Sequence, residues 1–334
     1  MIEKKTPPGL RNKLSSLKLS IIILNYHSLD MVRACLDSLD KHRPQLTYEI
    51  IVANNDEDTH AFNEFSAKNP DIHCIQNTGN WGFSSGCNLG ASIANHDYLL
   101  FLNPDTKITD SPAIDRMINI LEMDNDIGIC GCQIIGPNGS EKPLYWNNPW
   151  FFIKWIKAIY ETLYKRKLAK KFSADKDIWY PDLISGAVLA IRTKDFNRIG
   201  GWSDDKYWMY AEDRDLCHRM QTKLGKKLAQ LRHYNIYHSW GGASENTQSM
   251  ILDMEMIISR HNYIYHNSQG ISRMVILFLY ITKNLLSPSL KLFLNTILFR
   301  RNKITKYKLL TMGMIDYYLS AIKRKTWRSK RLDR

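Results

Sequence analysis

The sequence lacks the features that mark an exported or an ordinary membrane-spanning protein. Its first residues are charged and contain proline, without the apolar stretch of a secretory signal peptide. No uninterrupted run of about 20 apolar residues is present. The nearest candidate begins at Met274 and is interrupted by Lys283, Pro288 and Lys291. These absences predict a protein that stays in the cytoplasm.

Cysteine is scarce and poorly placed for metal binding. Of the six cysteines in 334 residues, only Cys130 and Cys132 are close in sequence, and no second pair completes a zinc-binding set. Most of the cysteines stand among apolar residues, where a free thiol behaves as a small buried hydrophobic group. We therefore expect reduced cysteines in the core of an ordinary globular protein, since 44% of the residues are hydrophobic and 24% charged.

The standard phosphate-binding motifs are missing as well. Residues 77–90 read N-T-G-N-W-G-F-S-S-G-C-N-L-G and lead into a predicted helix, whose N-terminus is suited to an anion. The segment lacks the Gly-Lys-Ser/Thr ending of a Walker A loop, and its spacing does not match the dinucleotide-binding fingerprint. A nucleotide that binds to this segment would therefore be held without either of these motifs.

Acidic residues are too few to balance the basic ones. The sequence has 46 Lys and Arg against 33 Asp and Glu, a formal charge of +13. The excess is local, because residues 300–334 hold twelve basic and two acidic residues. Residues 150–172 add seven basic residues and one acidic residue among many aromatics. The rest of the chain is nearly neutral, which disfavours a uniformly basic nucleic-acid-binding protein.

Apolar, β-branched runs alternate with helical spacing in the first third of the chain. The pattern predicts strands over 19–24, 48–53, 72–76 and 98–102, and helices over 30–39 and 84–95. This alternation predicts an α/β fold with a doubly wound, mostly parallel sheet. Turns rich in Asn and Asp follow three of the strands, at 25–27, 54–56 and 103–105. Because such sheets bind ligands beyond the carboxyl ends of their strands, a polar ligand such as a nucleotide is expected there.

The second half of the chain changes from alternating to helical patterns. We predict a helix over 113–122, strands over 127–135 and 183–192, a helix from Trp208 to Leu224, and helices from about 246 onward. The expected organisation is a basic segment over 1–18, a domain over 19–245 with a basic aromatic insertion at 150–172, and a C-terminal helical region over 246–334 with a basic tail.

Asn103, Asp105 and His238 are candidates for a metal site. A carboxylate at a strand end can hold Mg²⁺ or Mn²⁺ bridging phosphates, although an Asx turn is common at this position. His238 precedes a Gly-rich run and can ligate a metal. A lone histidine is more often an ordinary core or surface residue, so both interpretations stay open.

Three carboxylates, Glu212, Asp213 and Asp215, stand at the start of a predicted helix. Acids are favourable in a first turn because they complement the helix dipole. A carboxylate held there can also serve as a general base toward an acceptor hydroxyl. The residues alone do not decide between these two roles.

Together these motifs resemble the inverting glycosyltransferases of family 2, which have the GT-A fold. The likeness is greatest to the bacterial rhamnosyltransferase-like branch, which builds O-antigen and capsule polysaccharides. It covers residues 19–245 and rests on four segments in the family's order. These read I-L-N-Y-H-S-L-D at 23–30, N-W-G-F-S-S-G-C-N-L-G at 80–90, L-N-P-D-T at 102–106, and S-G-A-V-L-A-I-R through Y-A-E-D-R-D-L at 185–216.

The resemblance implies roles for the acidic residues. Asp213, the second acid of the pair with Glu212, would be the general base. Asp105 closes the family's D-x-D-type motif and would hold Mg²⁺ or Mn²⁺ together with the diphosphate of the donor. His238 falls where several members place a further metal ligand.

The resemblance also implies contacts with a nucleotide-sugar donor. Tyr26 would stack on the nucleobase, Asn54 would read its pyrimidine edge, and Gly186 and Ala187 would lie near the donor sugar. Further contacts are expected from the strand-end and loop residues Asn55, Asn80, Trp81, Gly82, Phe83, Asn88 and Asn103.

Two positions depart from the family pattern. Ala53 stands where the strand end has an aspartate, and Asn103 replaces the first acid of the D-x-D-type motif. The resemblance implies inverting transfer of L-rhamnose from dTDP-rhamnose to a glycan or lipid-pyrophosphate-linked acceptor. UDP-galactofuranose and UDP-N-acetylglucosamine remain alternative donors. A second class of function is a catalytically weakened scaffold that binds a sugar nucleotide. A third is a nucleotidyltransferase, but the Gly-rich loop and N-terminal signature of that class are not present in the sequence.

Residues 274–299 are rich in Leu, Ile and Phe and precede the basic tail. An apolar face flanked by Lys and Arg is typical of an interfacial helix on an anionic membrane. Packing of this helix onto the globular domain and nucleic-acid binding by the tail are the alternatives. We expect attachment to the cytoplasmic face of the inner membrane and no nucleic-acid partner.

Overall fold

A computed structural model describes residues 17–110, 112–137, 139–140, 147–239 and 246–333. Most of the basic segment expected at 1–18, and the Gly-rich run after Ser239, lie outside these residues. The chain divides into two compact units. The sheet unit comprises Met1–Tyr145, Ala169–Asp204 and Glu212–Ala243. The helical unit comprises Trp146–Leu168, Asp205–Ala211 and Ser244–Arg334.

The sheet unit is built on one sheet of ten strands in the order β3-β2-β1-β4-β9-β6-β10-β5, with β7 beside β6 and β8 beside β10. Strand β1 pairs in parallel with β2 and β4, and β10 pairs in parallel with β6. Strand β9 runs antiparallel between β4 and β6. The predicted α/β fold with a mostly parallel sheet is confirmed. The strands are β1 (Lys18–Asn25), β2 (Thr47–Asn54), β3 (His73–Gln76), β4 (Tyr98–Leu102), β5 (Thr106–Ile108), β6 (Ile127–Gly136), β7 (Gly139–Ser140), β8 (Ile178–Trp179), β9 (Val188–Arg192) and β10 (Lys227–His238).

Helices lie on both faces of this sheet because successive side chains of a strand point to opposite sides. In β1, Ile21 and Ile23 belong to a core shared with the helix Leu29–Lys41, whereas Ile22 and Leu24 belong to a core shared with the helices Gly82–Ser92 and Glu212–Lys223. Five of the six cysteines are buried, as expected. The helices of the described residues are α1 (Leu29–Lys41), α2 (His60–Lys68), α3 (Gly82–Ser92), α4 (Ala113–Met123), α5 (Lys154–Leu163), α6 (Lys165–Lys171), α7 (Thr193–Ile199), α8 (Glu212–Lys223), α9 (Asn246–Asn267), α10 (Gly270–Ile297) and α11 (Arg301–Arg324).

Two predicted elements are shorter than the sequence pattern suggested. The strand predicted over 183–192 pairs regularly only over Val188–Arg192, because a turn at Gly186 and Ala187 precedes it. The helix predicted from Trp208 begins at Glu212. Tyr210 and Ala211 adopt φ of 70° and 66°, a left-handed conformation that a right-handed helix cannot include.

The helical unit contains α5, α9, α10 and α11, together with 3₁₀ turns at Pro149–Phe152 and Lys330–Leu332. At its centre His261 is fully buried, and its Nε2 lies 3.0 Å from the Tyr318 hydroxyl. Burial lowers the pKa of His261 to about 3, so the ring is neutral and packs as an aromatic. The predicted C-terminal helical region is confirmed.

Helix α10 is continuous through Pro288, although the sequence analysis treated Lys283, Pro288 and Lys291 as interruptions of its apolar run. Among the described residues it alone has the length and composition to cross a membrane. The mean hydropathy of its most apolar window is 1.2, and 28% of that window is buried.

A buried ion cluster gives a prediction for the stability of the sheet unit. The fully buried Asp195 carboxylate lies 3.1 Å from Arg192 and 2.5 Å from Lys226. Asp195→Ala leaves the buried Arg192 charge uncompensated, so the free energy of unfolding in urea should fall by about 3–5 kcal/mol. The matched control Asp30→Ala breaks an exposed pair with Arg33 and should change little. Equal effects of the two variants would contradict this account of the cluster.

Candidate active site

Strand register brings the polar strand ends to one edge of the sheet. Asn25 of β1 pairs with Asn54 of β2, and Asn54 pairs with Gln76 of β3. Because β9 runs antiparallel to β4, its first residues reach the same edge at which β4 ends. There the Asn103 amide donates to the Ala187 carbonyl at 3.0 Å. Residues that are distant in sequence therefore meet at the carboxyl ends of the parallel strands.

The amide side chains at this edge form an internal ladder. Asn25 Nδ2 donates to Asn54 Oδ1 at 2.6 Å and to Asp56 Oδ2 at 2.9 Å. Asn54 Nδ2 donates to Gln76 Oε1 at 2.8 Å, and Asn54 is fully buried. Both ends of the Asn54 amide are thus bonded within the protein. This arrangement makes Asn54 part of the floor of the site.

The turn after β1 is fixed by Asp56, a residue to which the sequence analysis gave no role. Its Oδ1 accepts from the His27 backbone amide at 2.7 Å and lies 3.1 Å from His27 Nδ1. His27 adopts a left-handed φ of 49°. The Tyr26 ring beside it is 37% exposed, which leaves an aromatic surface at the sheet edge. The Asn54-Asn55-Asp56 run was the sequence signal that could have identified this acid.

The loop before α3 is tied to the strand ends by side-chain hydrogen bonds. Asn55 Nδ2 donates to the Gly82 carbonyl at 3.0 Å, and Asn80 Oδ1 accepts from the Gly82 amide at 3.2 Å. Gly82 has φ of 87°, which favours glycine. Trp81 Nε1 donates to Thr78 Oγ1 at 3.0 Å. The N-terminus of α3 is therefore held in place beside the strand ends.

Asn88 of α3 fixes the position of a tryptophan in the site. Its Nδ2 donates to the Trp202 carbonyl at 2.8 Å, and its Oδ1 accepts from the Trp202 amide at 3.0 Å. The Trp202 ring packs edge-on against Phe83, with centroids 5.5 Å apart. A Cβ atom on Gly186 would lie 3.5 Å from Trp202 and 3.4 Å from Asp213 Cβ. Sequence reasoning assigned Trp202 no role, although its Gly-Gly-Trp motif was the available signal.

Asp213 stands at the start of α8 against Gly186. Its Oδ1 accepts from the Arg214 amide at 2.7 Å, and its Oδ2 lies 3.4 Å from the Gly186 amide. Burial raises the pKa of Asp213 despite these donors. Burial and the Asp213 charge raise the pKa of the neighbouring Glu212 to about 8. The pair therefore holds a proton near neutral pH, because two close buried carboxylates cannot both ionise easily.

Asp215, the third acid of the run, has a structural role. It is buried and accepts from Ser203 Oγ at 2.7 Å and from Arg219 Nε at 2.6 Å. Arg219 in turn donates to the Ile199 carbonyl at 2.8 Å. This network ties α8 to the segment after α7.

Asp105 and His238 form a pair suited to a divalent cation. Asp105 Oδ1 lies 3.0 Å from His238 Nε2, and Asp105 Oδ2 accepts from Ser239 Oγ at 3.1 Å. A separation near 3 Å is what two adjacent ligands of one ion show when the metal–ligand bonds are about 2.1 Å long. The described residues contain no group of three or more His, Cys, Asp or Glu able to hold a metal by themselves. Asp105 and His238 would thus supply two of the ligands of such an ion.

The metal-ligand pair and the carboxylate pair are linked through the end of β4. Asn103 Nδ2 lies 3.4 Å from His238 Nε2, and its backbone amide bonds to Ala187, next to Gly186. Gly186 contacts Asp213. These contacts join six of the residues proposed from sequence, which are Asn103, Asp105, Gly186, Ala187, Asp213 and His238.

Two family models match overlapping parts of the chain. Residues 20–174 match the model described as Glycosyl transferase family 2. Residues 166–271 match the model described as N-terminal domain of galactosyltransferase.

Among curated proteins, the chain is similar to two bacterial glycosyltransferases. It is 32% identical over 132 residues to the poly(ribitol-phosphate) beta-glucosyltransferase of Bacillus spizizenii, covering 38% of this chain and 20% of that protein. It is 24% identical over 233 residues to the rhamnosyltransferase WbbL of Escherichia coli, covering 65% of this chain and 82% of that protein. Both relatives are glycosyltransferases, and the match of residues 20–174 to the family 2 model agrees with this similarity.

Among solved structures, the fold is similar to that of GalNAc-T7 crystallised with UDP, GalNAc and Mn²⁺. The TM-score is 0.54 at 14% identity, over 75% of this chain and 48% of that chain. The expected GT-A fold is confirmed.

The raised pKa of Glu212 predicts how its replacement affects stability. The ordinary pKa of a glutamate is 4.5, and the pKa of Glu212 in the folded protein is about 8. Protonation of Glu212 therefore stabilises the folded state fully below pH 4.5, and this stabilisation is lost as the pH rises through about 8. Glu212→Gln cannot ionise. Its melting temperature should therefore exceed that of the wild type by more degrees at about pH 9 than at about pH 5.

The exposed Glu57 provides the matched control. Glu57→Gln should show no such growth of the difference with pH. If differential scanning fluorimetry gives the two variants the same pH profile, Glu212 is not a protonated buried acid.

Proposed function

We propose that this chain is an inverting glycosyltransferase that transfers a sugar from a nucleotide-sugar donor to a hydroxyl group. The observation that carries the proposal is the buried Asp213 carboxylate against Gly186, joined through Asn103 to the Asp105–His238 pair. This arrangement combines a base of raised pKa with a site for a metal-bound diphosphate. The matches to family 2 and to two glycosyltransferases support it.

In this proposal Asp213 accepts the proton of the acceptor hydroxyl as its oxygen attacks the anomeric carbon of the donor. The bond from that carbon to the diphosphate oxygen breaks, and the nucleoside diphosphate leaves with the electron pair. Attack opposite the leaving group inverts the anomeric configuration. Burial raises the pKa of Asp213, which makes its carboxylate a stronger proton acceptor.

Glu212 supports the base in this scheme. In this scheme Glu212, whose pKa is raised to about 8, holds the proton of the pair near neutral pH, and Asp213 acts as the carboxylate. The Gly186 and Arg214 amides then hold the Asp213 oxygens in one orientation. A fixed orientation matters because a general base must lie within hydrogen-bonding reach of the proton it removes.

Asp105 and His238 would hold Mg²⁺ or Mn²⁺ in this site. A bound divalent ion supplies charge stabilisation for the departing diphosphate. Mg²⁺ bound through one or two carboxylates and substrate phosphates is common in proteins. Asn103, which replaces an acid at this edge, contributes an amide that lies 3.4 Å from His238. We expect the diphosphate of the donor to complete the ligand set.

L-Rhamnose from dTDP-rhamnose is our leading donor, supported by the similarity to a rhamnosyltransferase over 65% of the chain. The exposed Tyr26 ring provides a stacking surface for the base. Ala53 is fully buried and packs in the core shared with α3, so this position provides no polar group to the ligand. UDP-galactofuranose and UDP-N-acetylglucosamine are the alternatives, and the acceptor is a glycan or lipid-pyrophosphate-linked glycan of surface polysaccharide synthesis.

Thermal-shift measurements with each donor, with and without Mn²⁺ or Mg²⁺, identify the ligand. A donor at about 100 times its dissociation constant should stabilise the protein by about 2.7 kcal/mol. Acceptor-dependent release of nucleoside diphosphate then tests transfer. A donor that binds but is never consumed with any polysaccharide-type acceptor would favour the sugar-nucleotide-binding scaffold instead.

Asp213→Asn removes the proposed base with little change in volume. We expect the transfer rate to fall about 10²–10⁴-fold, the usual contribution of general base catalysis. The donor dissociation constant measured by calorimetry should stay within about threefold of the wild-type value. Asp204→Asn in the same unit is the control. Near-normal turnover by Asp213→Asn would show that Asp213 is not the general base.

Asn103 stands in place of an acid and leaves fewer charged ligands for the metal, so we expect metal and donor to bind together. Mn²⁺ alone should shift the melting temperature little, whereas Mn²⁺ with the nucleoside diphosphate should shift it more than the sum of the separate shifts. His238→Ala should raise the Mn²⁺ concentration for half-maximal turnover by about tenfold, equivalent to about 1.4 kcal/mol. The exposed His60, replaced by Ala, serves as control. Tight Mn²⁺ binding without nucleotide would contradict the arrangement.

A further inference from the structure

We propose that the outer face of α10 and the basic turn between α10 and α11 form a docking surface for an anionic lipid bilayer, lying in the membrane interface without spanning it. This inference concerns the helical unit alone and does not depend on sugar transfer.

One face of α10 is uncharged and carries exposed apolar side chains along its whole length, interspersed with Thr282, Ser289 and Thr296. Phe278 is 68% exposed and Phe293 61% exposed. These positions share one side of the helix, because at 100° per residue they fall within an arc of about 120°. The arc contains no charged residue over the 28 residues of α10, about 42 Å of helix. Its exposed apolar members are Ile271, Val275, Phe278, Leu286, Leu290, Phe293 and Ile297.

The opposite face of α10 is packed within the helical unit. Ile276 and Tyr280 are almost fully buried, and they share a core with Tyr263 of α9. Further along, Ile281 and Leu285 of α10 pack against a core that includes Met314 of α11. One side of α10 therefore packs within the helical unit, and the other side is exposed. A single-sided apolar helix of this kind matches an interfacial helix.

The partner helix explains why α10 should not cross the bilayer. Helix α11 follows α10 after three residues and packs along it. Its sequence carries Arg301, Lys303, Lys306 and Lys308 in the first third and Lys323 and Arg324 at the end. Basic side chains are costly at the bilayer centre. A hairpin with this charged member can rest at the headgroup level, where an apolar face enters the acyl region and basic groups remain in the headgroups.

The positive charge on the turn between α10 and α11 favours an anionic partner. Phe299 is 87% exposed there, and it is followed directly by the exposed Arg300 and Arg301. Among the described residues, no carboxylate pairs with Arg300, Arg301, Lys303 or Lys308. Such residues are attracted to the negative surface of anionic lipids. A second copy of the chain would present the same basic turn, whereas an anionic bilayer supplies the opposite charge.

The test is flotation of the full chain with lipid vesicles. It should bind vesicles containing phosphatidylglycerol at low salt, bind pure phosphatidylcholine vesicles much less, and be released by high salt, because exposed charges are screened. Phe278→Asp with Phe293→Asp should abolish binding. Met123→Asp in the sheet unit removes an equally exposed apolar side chain (65%) and should leave binding unchanged.

A second variant covers the case in which the first fails to fold. Arg300→Gln with Arg301→Gln should weaken partitioning onto anionic vesicles about 30-fold, from two lost electrostatic contacts. Release of nucleoside diphosphate with a soluble acceptor should be the same for all these variants and the wild type. That readout separates failure of docking from failure of the proposed transfer activity.

Three outcomes would overturn the proposal. The first is absence of binding to anionic vesicles at low salt. The second is a dimer in light scattering that Phe278→Asp with Phe293→Asp dissociates, which would assign the face to a second copy. The third is membrane protein that resists alkaline and high-salt extraction, which would indicate a spanning helix.

Discussion

Parallel pairing of β1 with both β2 and β4 is the constraint on which the site depends. It fixes the register in which Asn25 stands beside Asn54, and in which β4 ends beside β1. A slip of one residue would turn Ile21 and Ile23 from one core to the other. The two buried cores therefore enforce the alignment of the polar strand ends.

The antiparallel strand β9 completes this edge. Had β9 run parallel, its first residues would lie at the opposite end of the sheet from Asn103. Because it is antiparallel, Gly186 and Ala187 reach the edge at which β4 ends. Gly186 then provides the close approach for Asp213 at the start of α8. Asn103 and Ala187, which are far apart in sequence, thus become neighbours because of the direction of β9.

Burial of the carboxylate pair opposes folding and supports the proposed chemistry at the same time. A buried acid disfavours its charged form, which raises its pKa. In Glu212 and Asp213 this effect is larger than the stabilisation from nearby backbone amides. Such groups are concentrated at functional sites. By contrast, Asp215 pairs with Arg219 and Ser203 and serves the fold.

The sequence predicted the alternating half of the fold well, because strands such as Tyr98–Leu102 are continuous apolar runs between clear turns. It failed where conformation depends on tertiary contacts. The left-handed backbone at Tyr210 and Ala211 leaves no trace in hydrophobic periodicity. Likewise, Asn54 and Asn88 have residue types suited to ligand contact, and only the structure shows their amides bonded to Gln76 and Trp202. Long-range hydrogen bonds of this kind depend on strand order, which local patterns do not encode.

The measurement that tests the central claim most directly is the anomeric configuration of the product, determined by NMR with the donor that the protein consumes. Direct attack by an acceptor activated at Asp213 predicts a linkage of opposite configuration to the sugar–diphosphate bond of the donor. A product that keeps the configuration of the donor would contradict the account, because retention requires a mechanism other than the single displacement assigned to Asp213.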